Sequence, residues 1–266
     1  MKALLINLPK SKDRLNFQKQ QLKQLGINFE VIEATGINDI TESEYRRLSG
    51  AWQRLMRRTE VACFMSHLKT WNMVLELNQP CLILEDDAYL SSCVPSLLSE
   101  FNSFKECDLI TLENRSRKKI VSKKKQDISC DCHLLELYQD RTGAAGYVLW
   151  PSGAQKLIDK YNKGRIGLAD AFISSCYTIK AFQIEPAAIV QLDQCTNYQL
   201  SCTSQTESII TPMATTHPQA DTVAKHLLFR LKRVLGQVRM GLRQLAVLHK
   251  SERRYIRINP ENFTEL

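Results

Sequence analysis

The chain opens on an unbroken apolar run, Ala3-Leu4-Leu5-Ile6-Asn7-Leu8, which reads as a short buried strand. Residues 11–25 follow as a helix, with Ser11 in the N-cap place and Gly26 just past the end. Residues 27–32 alternate in the manner of a second strand, so a βαβ unit begins the fold. Thr41-Glu42-Ser43-Glu44 is a capping box that opens a short helix. A longer helix is predicted over 59–78, where Val61, Phe64, Met65, Leu68, Trp71 and Leu75 form the buried stripe. Cys81-Leu82-Ile83-Leu84 has no polar face, as in strands covered on both sides within parallel sheets, and it stops abruptly at Glu85-Asp86-Asp87.

Further along, the pattern predicts a helix over 95–104, a strand over 108–112 and a strand over 144–150. A helix starts at Pro151, where proline suits the first turn, and another covers 169–178. Short strands are expected at 181–184 and 187–191, while 115–125, with seven basic residues, reads as a mobile loop or hairpin tip. Strands alternating with helices point to an α/β layer with a mostly parallel central sheet. Leu228, Leu231, Leu235, Val238, Leu242 and Leu245 then recur at alternating steps of three and four, an amphipathic helix with Lys225, Lys232, Arg233, Arg239 and Arg243 on its other faces. The expected organisation is one α/β domain over 1–212 and a basic helical tail over 213–266.

Charge supports that division. The 266 residues carry a formal net charge of +8, and residues 220–266 alone account for +6, with ten basic and four acidic side chains. An apolar content of 44% with 24% charged residues is an ordinary globular composition. The opening apolar run is too short for a signal-peptide core, and no stretch approaches the ~20 apolar residues of a membrane span, so a cytoplasmic protein is expected. The nine cysteines contain no CxxC pair. Cys130-Asp131-Cys132-His133 would crowd four ligands into consecutive positions, against the usual spacing of zinc ligands, so the thiols read as small hydrophobes. Nucleic-acid binding is the rival class for a basic chain. Here the cations are confined to one loop and one tail without aromatic interleaving, so no nucleic-acid partner is expected.

Glu85-Asp86-Asp87 carries the strongest chemical signal. Three adjacent carboxylates at the carboxyl end of a buried strand repel one another, and open α/β sheets bind ligands at that edge. A hard divalent cation, Mg²⁺ or Mn²⁺, would neutralise the cluster and hold a diphosphate. A solvated acidic turn is the bland alternative.

The segment Thr59-Glu60-Val61-Ala62-Cys63-Phe64-Met65-Ser66-His67-Leu68-Lys69-Thr70-Trp71, followed by Cys81-Leu82-Ile83-Leu84-Glu85-Asp86-Asp87, resembles glycosyltransferase family 25, the lipooligosaccharide-biosynthesis family. Ile6-Asn7-Leu8 with Arg14, Ala34-Thr35-Gly36, Gly146-Tyr147-Val148-Leu149, Gly153-Ala154-Gln155-Lys156-Leu157 and Glu207-Ser208-Ile209-Ile210 agree with it, so the resemblance covers about 3–210. It implies a GT-A-like fold, a UDP-sugar donor (usually UDP-galactose), a lipid-linked oligosaccharide acceptor and inverting transfer. The acidic triplet would correspond to the family's Asp-x-Asp motif, with Asp87 and Asp86 as metal positions. Asn7, Arg14, Ala34, Ser66, His67, Glu85 and Asp86 would fall in the donor site. By the same resemblance Asp170 is the base that takes the acceptor proton, with Asp193 as rival and an N-cap role as the bland alternative. Arg14 has the alternative of a surface salt bridge, and Asn114 could face the acceptor. Trp52, Trp71 and Trp150 read as core or stacking surfaces. A non-catalytic sugar-binding module is a further alternative.

For the tail, a basic amphipathic helix over 222–257 suits an anionic membrane surface, where each basic residue adds ~1 kcal/mol. That would place the enzyme peripherally at a bacterial inner membrane. A homodimer through a coiled coil, or docking on its own domain, are the other readings.

Overall fold

The structure is a computed structural model, and it describes residues 1–140, 143–201 and 222–263. Its order begins β1 (Lys2–Asn7), α1 (Lys12–Gln24), β2 (Phe29–Glu33), α2 (Glu42–Ser49), α3 (Arg58–Leu77), β3 (Cys81–Glu85), β4 (Ala88–Leu90), α4 (Val94–Phe101) and β5 (Leu109–Thr111). It continues β6 (Lys119–Ile128), β7 (Cys132–Gln139), β8 (Gly146–Leu149), α5 (Pro151–Asn162), α6 (Ala169–Ser174), β9 (Ala181–Glu185), β10 (Ile189–Gln191), α7 (Val223–Val247) and β11 (Ser251–Arg254).

Nine strands make one sheet in the order β11-β6-β7-β9-β5-β8-β3-β1-β2. β3, β1 and β2 are mutually parallel, as are β5 and β9, while β8, β7 and β11 run against their neighbours. Six of the nine strands therefore point the same way, which is the sense in which the mixed α/β sheet is mostly parallel.

The apolar runs are explained by this sheet's two covered faces. Ala3, Leu5, Leu82, Leu84 and Val148 pack on one side with Leu22 of α1 and Val94, Leu97 and Phe101 of α4. Leu4, Ile6, Cys81, Ile83, Tyr147 and Leu149 pack on the other with α3, α5 and α6. Side chains alternate across a strand, so burial on both faces requires apolar residues at every position. Each fully buried Leu or Ile contributes roughly 1.5–3 kcal/mol. The capping box forms as the sequence implies: Glu44 N donates to Thr41 Oγ1 at 3.3 Å and Thr41 N to Glu44 Oε2 at 3.1 Å. Ser11 occupies the N-cap place of α1 without a side-chain cap bond.

Two expectations change. The charged stretch 115–125 is not a loop throughout, because from Lys119 it is strand β6, paired with β7 on one side and β11 on the other. Its run of lysines is tolerated because Lys123, Lys124 and Lys125 stand exposed while Val121 and Ser122 are buried. The tail also rejoins the fold. After α7 the chain returns as β11, and Glu185, fully buried, is met there by the Arg254 guanidinium and by the backbone N–H of Arg257 at 3.0 Å. The stripe predicted for the tail helix does exist on α7, but it faces outward: Leu228, Leu231, Leu235, Val238, Leu242 and Leu245 are 47–68% exposed. The helix docks through its other side. Phe229 and Val247 are buried, Lys232 Nζ donates to Gly50 O at 3.0 Å, and Arg243 Nε donates to Tyr138 O at 2.6 Å. The boundary at 212/213 and the stretch Glu207–Ile210 lie outside the described residues.

Candidate active site

The acidic triplet sits at the carboxyl end of β3, and its three carboxylates have separate environments. Asp86 turns toward β1 and α1. Asn7 Nδ2 donates to its Oδ2 at 2.9 Å and Arg14 Nη1 to its Oδ1 at 3.0 Å, with both members of the ion pair largely buried. Burial lifts the Asp86 carboxyl above the ordinary range, against the pull of Arg14 and Asn7. With both oxygens engaged, Asp86 serves here as the anchor that fixes the triplet to β1 and α1.

Glu85 turns toward α3. His67 Nε2 lies 2.9 Å from Glu85 Oε1, and His67 Nδ1 lies 3.0 Å from the Tyr147 hydroxyl. Trp71 Nε1 donates to the same hydroxyl at 2.9 Å. An indole N–H can only donate, so the Tyr147 hydroxyl accepts from Trp71 and is free to donate to Nδ1. Nε2 then faces Glu85, a carboxylate that accepts an N–H from it. Burial pushes the Tyr147 hydroxyl well above the ordinary phenol range, which keeps it a donor. Ser66, one residue earlier, does something different. Its Oγ donates to Ala62 O and accepts the N–H of Thr35 at 2.9 Å, tying the Ala34-Thr35-Gly36 turn to α3. Ala34 is held to β1 through its own N–H, donated to Asn7 O at 2.9 Å.

Asp87 is the least satisfied of the three. Among the described residues its carboxylate meets only the Gln191 side-chain amide, 3.4 Å from both oxygens, and burial together with Glu85 and Asp86 raises its carboxyl well above the usual range. Glu113, just past β5, lies at the same sheet edge and is 1% exposed. Its Oε2 accepts from Ala145 N at 2.8 Å, its Oε1 has no partner, and burial and Glu85 push it up to about 8. Gly143 makes room for it. A Cβ there would stand 2.7 Å from the Glu113 carboxyl, and the backbone has φ +97°. Asp170, in the first turn of α6, is partly buried and accepts from Ala171 N at 2.6 Å. Burial raises its carboxyl, and Glu85 and Asp140 add to that. The cap residue of α6 is Leu168, so Asp170 does not fill the N-cap role. Cys63 completes the wall. Its thiol is pushed up by burial and by Glu85, Asp170 and Asp87, and its Sγ, a His67 ring nitrogen and a Glu85 oxygen all lie within 4.8 Å of one another.

This set suits a hard divalent cation. Among the described residues Asp87, Glu113 and Asp170 have no ion-pair partner, and the buried Glu113 Oε1 has no hydrogen bond. Uncompensated carboxylates of this kind are what a cation with oxygen ligands relieves. Asp87 and Glu85 are placed to supply ligand oxygens.

Other expected residues fall elsewhere. Asp193 is partly exposed and paired with Arg115 at 2.6 Å, and Arg115 also contacts Gln191, the partner of Asp87. Asn114 is buried and donates to Ile256 O at 2.7 Å, so it supports the β11 end of the chain instead of facing an acceptor. Trp71 and Trp150 are core, as expected, and Trp52 is half-buried. Glu113, Gln191 and Arg115 are additions. The rule that singled out the end of β3 applies equally to Glu113 at the end of β5. Gln191 and Arg115 carry no such signal. The Arg115 guanidinium contacts Gln191 Oε1 and Asp193, and its charge reaches Asp170.

Residues 1–173 match Glycosyltransferase family 25 (LPS biosynthesis protein). The lipooligosaccharide biosynthesis protein lic2B of Haemophilus influenzae is 23% identical over 215 residues, covering 77% of this chain and 81% of that protein. Procollagen galactosyltransferase 1-B of Xenopus laevis is 25% identical over 214 residues, which are 69% of this chain, and the match spans only 34% of the frog protein. Among solved structures, the inositol-1-phosphate CTP transferase from T. maritima aligns at TM-score 0.42 and 12% identity, covering 72% of this chain and 89% of that one. A glycosyltransferase involved in glycosylation of the major capsid of PBCV-1 aligns at TM-score 0.33 and 11% identity, covering 61% and 66%.

Proposed function

The chain belongs to glycosyltransferase family 25, and from that premise we propose that it moves a hexose, galactose by the usage of its named relatives, from UDP onto a lipooligosaccharide acceptor with inversion. The observation that carries this reading is the cluster of Glu85, Asp87, Glu113 and Asp170 at one sheet edge, of which Asp87, Glu113 and Asp170 have no ion-pair partner among the described residues. Asp87 with Glu85 would hold Mn²⁺ or Mg²⁺. Such a cation supplies positive charge for the diphosphate of the departing UDP.

The chain's own groups supply the rest. Asp170 is the base for the acceptor hydroxyl. Burial makes its carboxylate a stronger proton acceptor than a solvated one, while the Ala171 N–H fixes its orientation. Arg14 and Asn7 hold Asp86, and through it the β3–β4 turn, in register with the first strand. The relay from Trp71 through Tyr147 and His67 holds Glu85. Preorganised groups of this sort cost no rearrangement when the donor arrives.

We also propose that α7 lies on an anionic membrane surface at the cytoplasmic face of a bacterial inner membrane. Its outward stripe of leucines and valines, with the exposed Arg230 beside it, supports this. No helix among the described residues is long and apolar enough to cross a membrane. A screen of UDP-galactose, UDP-glucose and their N-acetyl counterparts, with Mn²⁺ and a simple glucoside acceptor, tests the reaction. Galactose transfer with inverted anomeric configuration, abolished by chelation, is expected. Absence of transfer from every nucleotide sugar would overturn it.

A further inference from the structure

The side of α7 that faces the protein does not close onto it completely. Between its middle turns, the end of α5 and part of α6 lies a groove of about 1100 Å³, whose lining includes the half-buried Trp52 and the edge of the buried Phe172. Its walls carry Lys160, Lys163, Arg165, Lys232, Arg233 and Arg239 against two carboxylates, Asp140 and Asp159. Both acids already have partners within the fold. Asp140 is bound by Lys119 at 2.6 Å, and Asp159 accepts from Gln155 at 2.8 Å. Among the described residues, Lys160 and Lys232 are served only by neutral groups. Lys160 Nζ donates to Phe172 O and to Ser175 Oγ at 2.8 Å, and Lys232 Nζ to Gly50 O and Ala51 O. Burial lowers the Lys160 ammonium to about 8, and Arg165 adds repulsion. Like charges gathered in a partly dry groove cost stability unless an anion joins them.

The groove's position gives it a use. One wall is α6, whose first turn carries Asp170, and Asp140 and Ala171 line the groove at that end. A chain of sugars with its reacting hydroxyl at Asp170 would lay its remaining residues along this groove, with a ring face against the half-buried Trp52. We propose that the groove is a subsite for phosphate or carboxylate groups borne by an oligosaccharide acceptor, away from the hydroxyl that reacts. This rests on the glycosyl-transfer reading and adds the acceptor's chemical class to it. Guanidinium and ammonium groups bind such oxyanions through charge-assisted hydrogen bonds, and Arg165 offers the bidentate form.

The test uses the full chain and two acceptors that share a terminal sugar, one oligosaccharide carrying phosphate and the same one dephosphorylated. The wild type should prefer the phosphorylated acceptor through KM. The double variant Lys163→Gln, Arg165→Gln, both exposed positions, should lose that preference, its KM for the phosphorylated acceptor rising about tenfold with kcat little changed. The charge-keeping variant Arg165→Lys should retain most of it. A preference that survives the double variant, or KM values that rise equally for both acceptors, overturns the proposal. If neither acceptor is used at all, the glycosyl-transfer reading fails separately. Calorimetric binding of the two oligosaccharides then decides the groove, equal binding overturning it and tighter, variant-sensitive binding of the phosphorylated form supporting it. Vesicles of phosphatidylglycerol provide the remaining arm. If the double variant loses vesicle binding while keeping its acceptor preference, the groove serves lipid headgroups and the proposal is overturned.

Discussion

His67 Nε2 stands 2.9 Å from Glu85 Oε1, joining the helix of one layer to the acidic end of the central strand. The histidine is oriented from behind by the Tyr147 hydroxyl, which Trp71 fixes in turn. A second-layer arrangement of this kind sets the direction of a carboxylate that is itself in the site.

Tyr147→Phe removes the hydroxyl and leaves the Trp71 N–H and His67 Nδ1 buried without their partner. A loss of about 1–3 kcal/mol in unfolding free energy is expected. Transfer should also fall, because Glu85 loses its fixed orientation, while binding of UDP without cation stays close to wild type. Denaturant titration and steady-state kinetics with varied Mn²⁺ measure both. Wild-type cation affinity and rate would show that the relay does not act on Glu85.

Stability should depend on pH in a particular direction. Glu113 passes from an ordinary value of 4.5 to about 8 on folding. Such a group binds more protons folded than unfolded between those values, so its penalty is absent below the lower and complete above the higher. Cation-free protein should therefore lose stability as pH rises from about 5 to 8, by at most about 1.4 kcal/mol per pH unit for that group. Asp87 and Asp170, also raised, act in the same sense. Asp108, lowered by Lys156 and the Lys180 N–H against its burial, acts oppositely and only in more acid solution. Thermal melts in chelator at pH 5 and pH 8 read the slope. Glu113→Gln should flatten it, and an unchanged slope in that variant would show that Glu113 does not titrate as its surroundings imply.

Asp170→Asn keeps the shape of the side chain and removes the base. Transfer is expected to drop by about 10²–10⁴-fold, with UDP-sugar affinity retained. A rate within a few-fold of wild type would dismiss Asp170 from that role.

The leucine stripe of α7 can be tested without disturbing the fold. Leu231 and Leu242 are 53% and 62% exposed, so changing both to Glu should leave unfolding within about 0.5 kcal/mol of wild type. Affinity for phosphatidylglycerol vesicles should fall about a hundredfold. Sedimentation at the same concentrations separates the alternative. A dimer that the two substitutions dissociate, with vesicle binding intact, would assign the stripe to a second copy of the chain.

Strands β1 and β3 were legible because they are buried on both faces. Leu4, Leu5, Ile83 and Leu84 are apolar without interruption, and a carboxylate triplet after such a strand has no structural excuse. The periodicity of α3 placed His67 one turn from Cys63, although nothing in it showed that Tyr147, eighty positions on, would complete the relay. The hairpin of β6 and β7 escaped notice for the opposite reason. Sheet pairing is made by backbone groups, and three exposed lysines in a row mask the two buried positions, Val121 and Ser122, that betray the strand. The direction of the tail stripe was equally hidden. A pattern of Leu and Arg says that a helix has two faces, and only Phe229, Lys232 and Arg243 show which one the protein keeps.

The return of the chain as β11 affects how any shortened form would behave. Cutting after residue 220 would remove the basic helix, and it would also strip the outermost strand from β6 and the arginines from Glu185. A ten-residue strand with open N–H and C=O groups is a template for pairing with other chains. A truncated protein that precipitates would thus be reporting a bared sheet edge and an orphaned carboxylate, and point substitutions on the outer face of α7 are the sound way to test the proposed membrane contact.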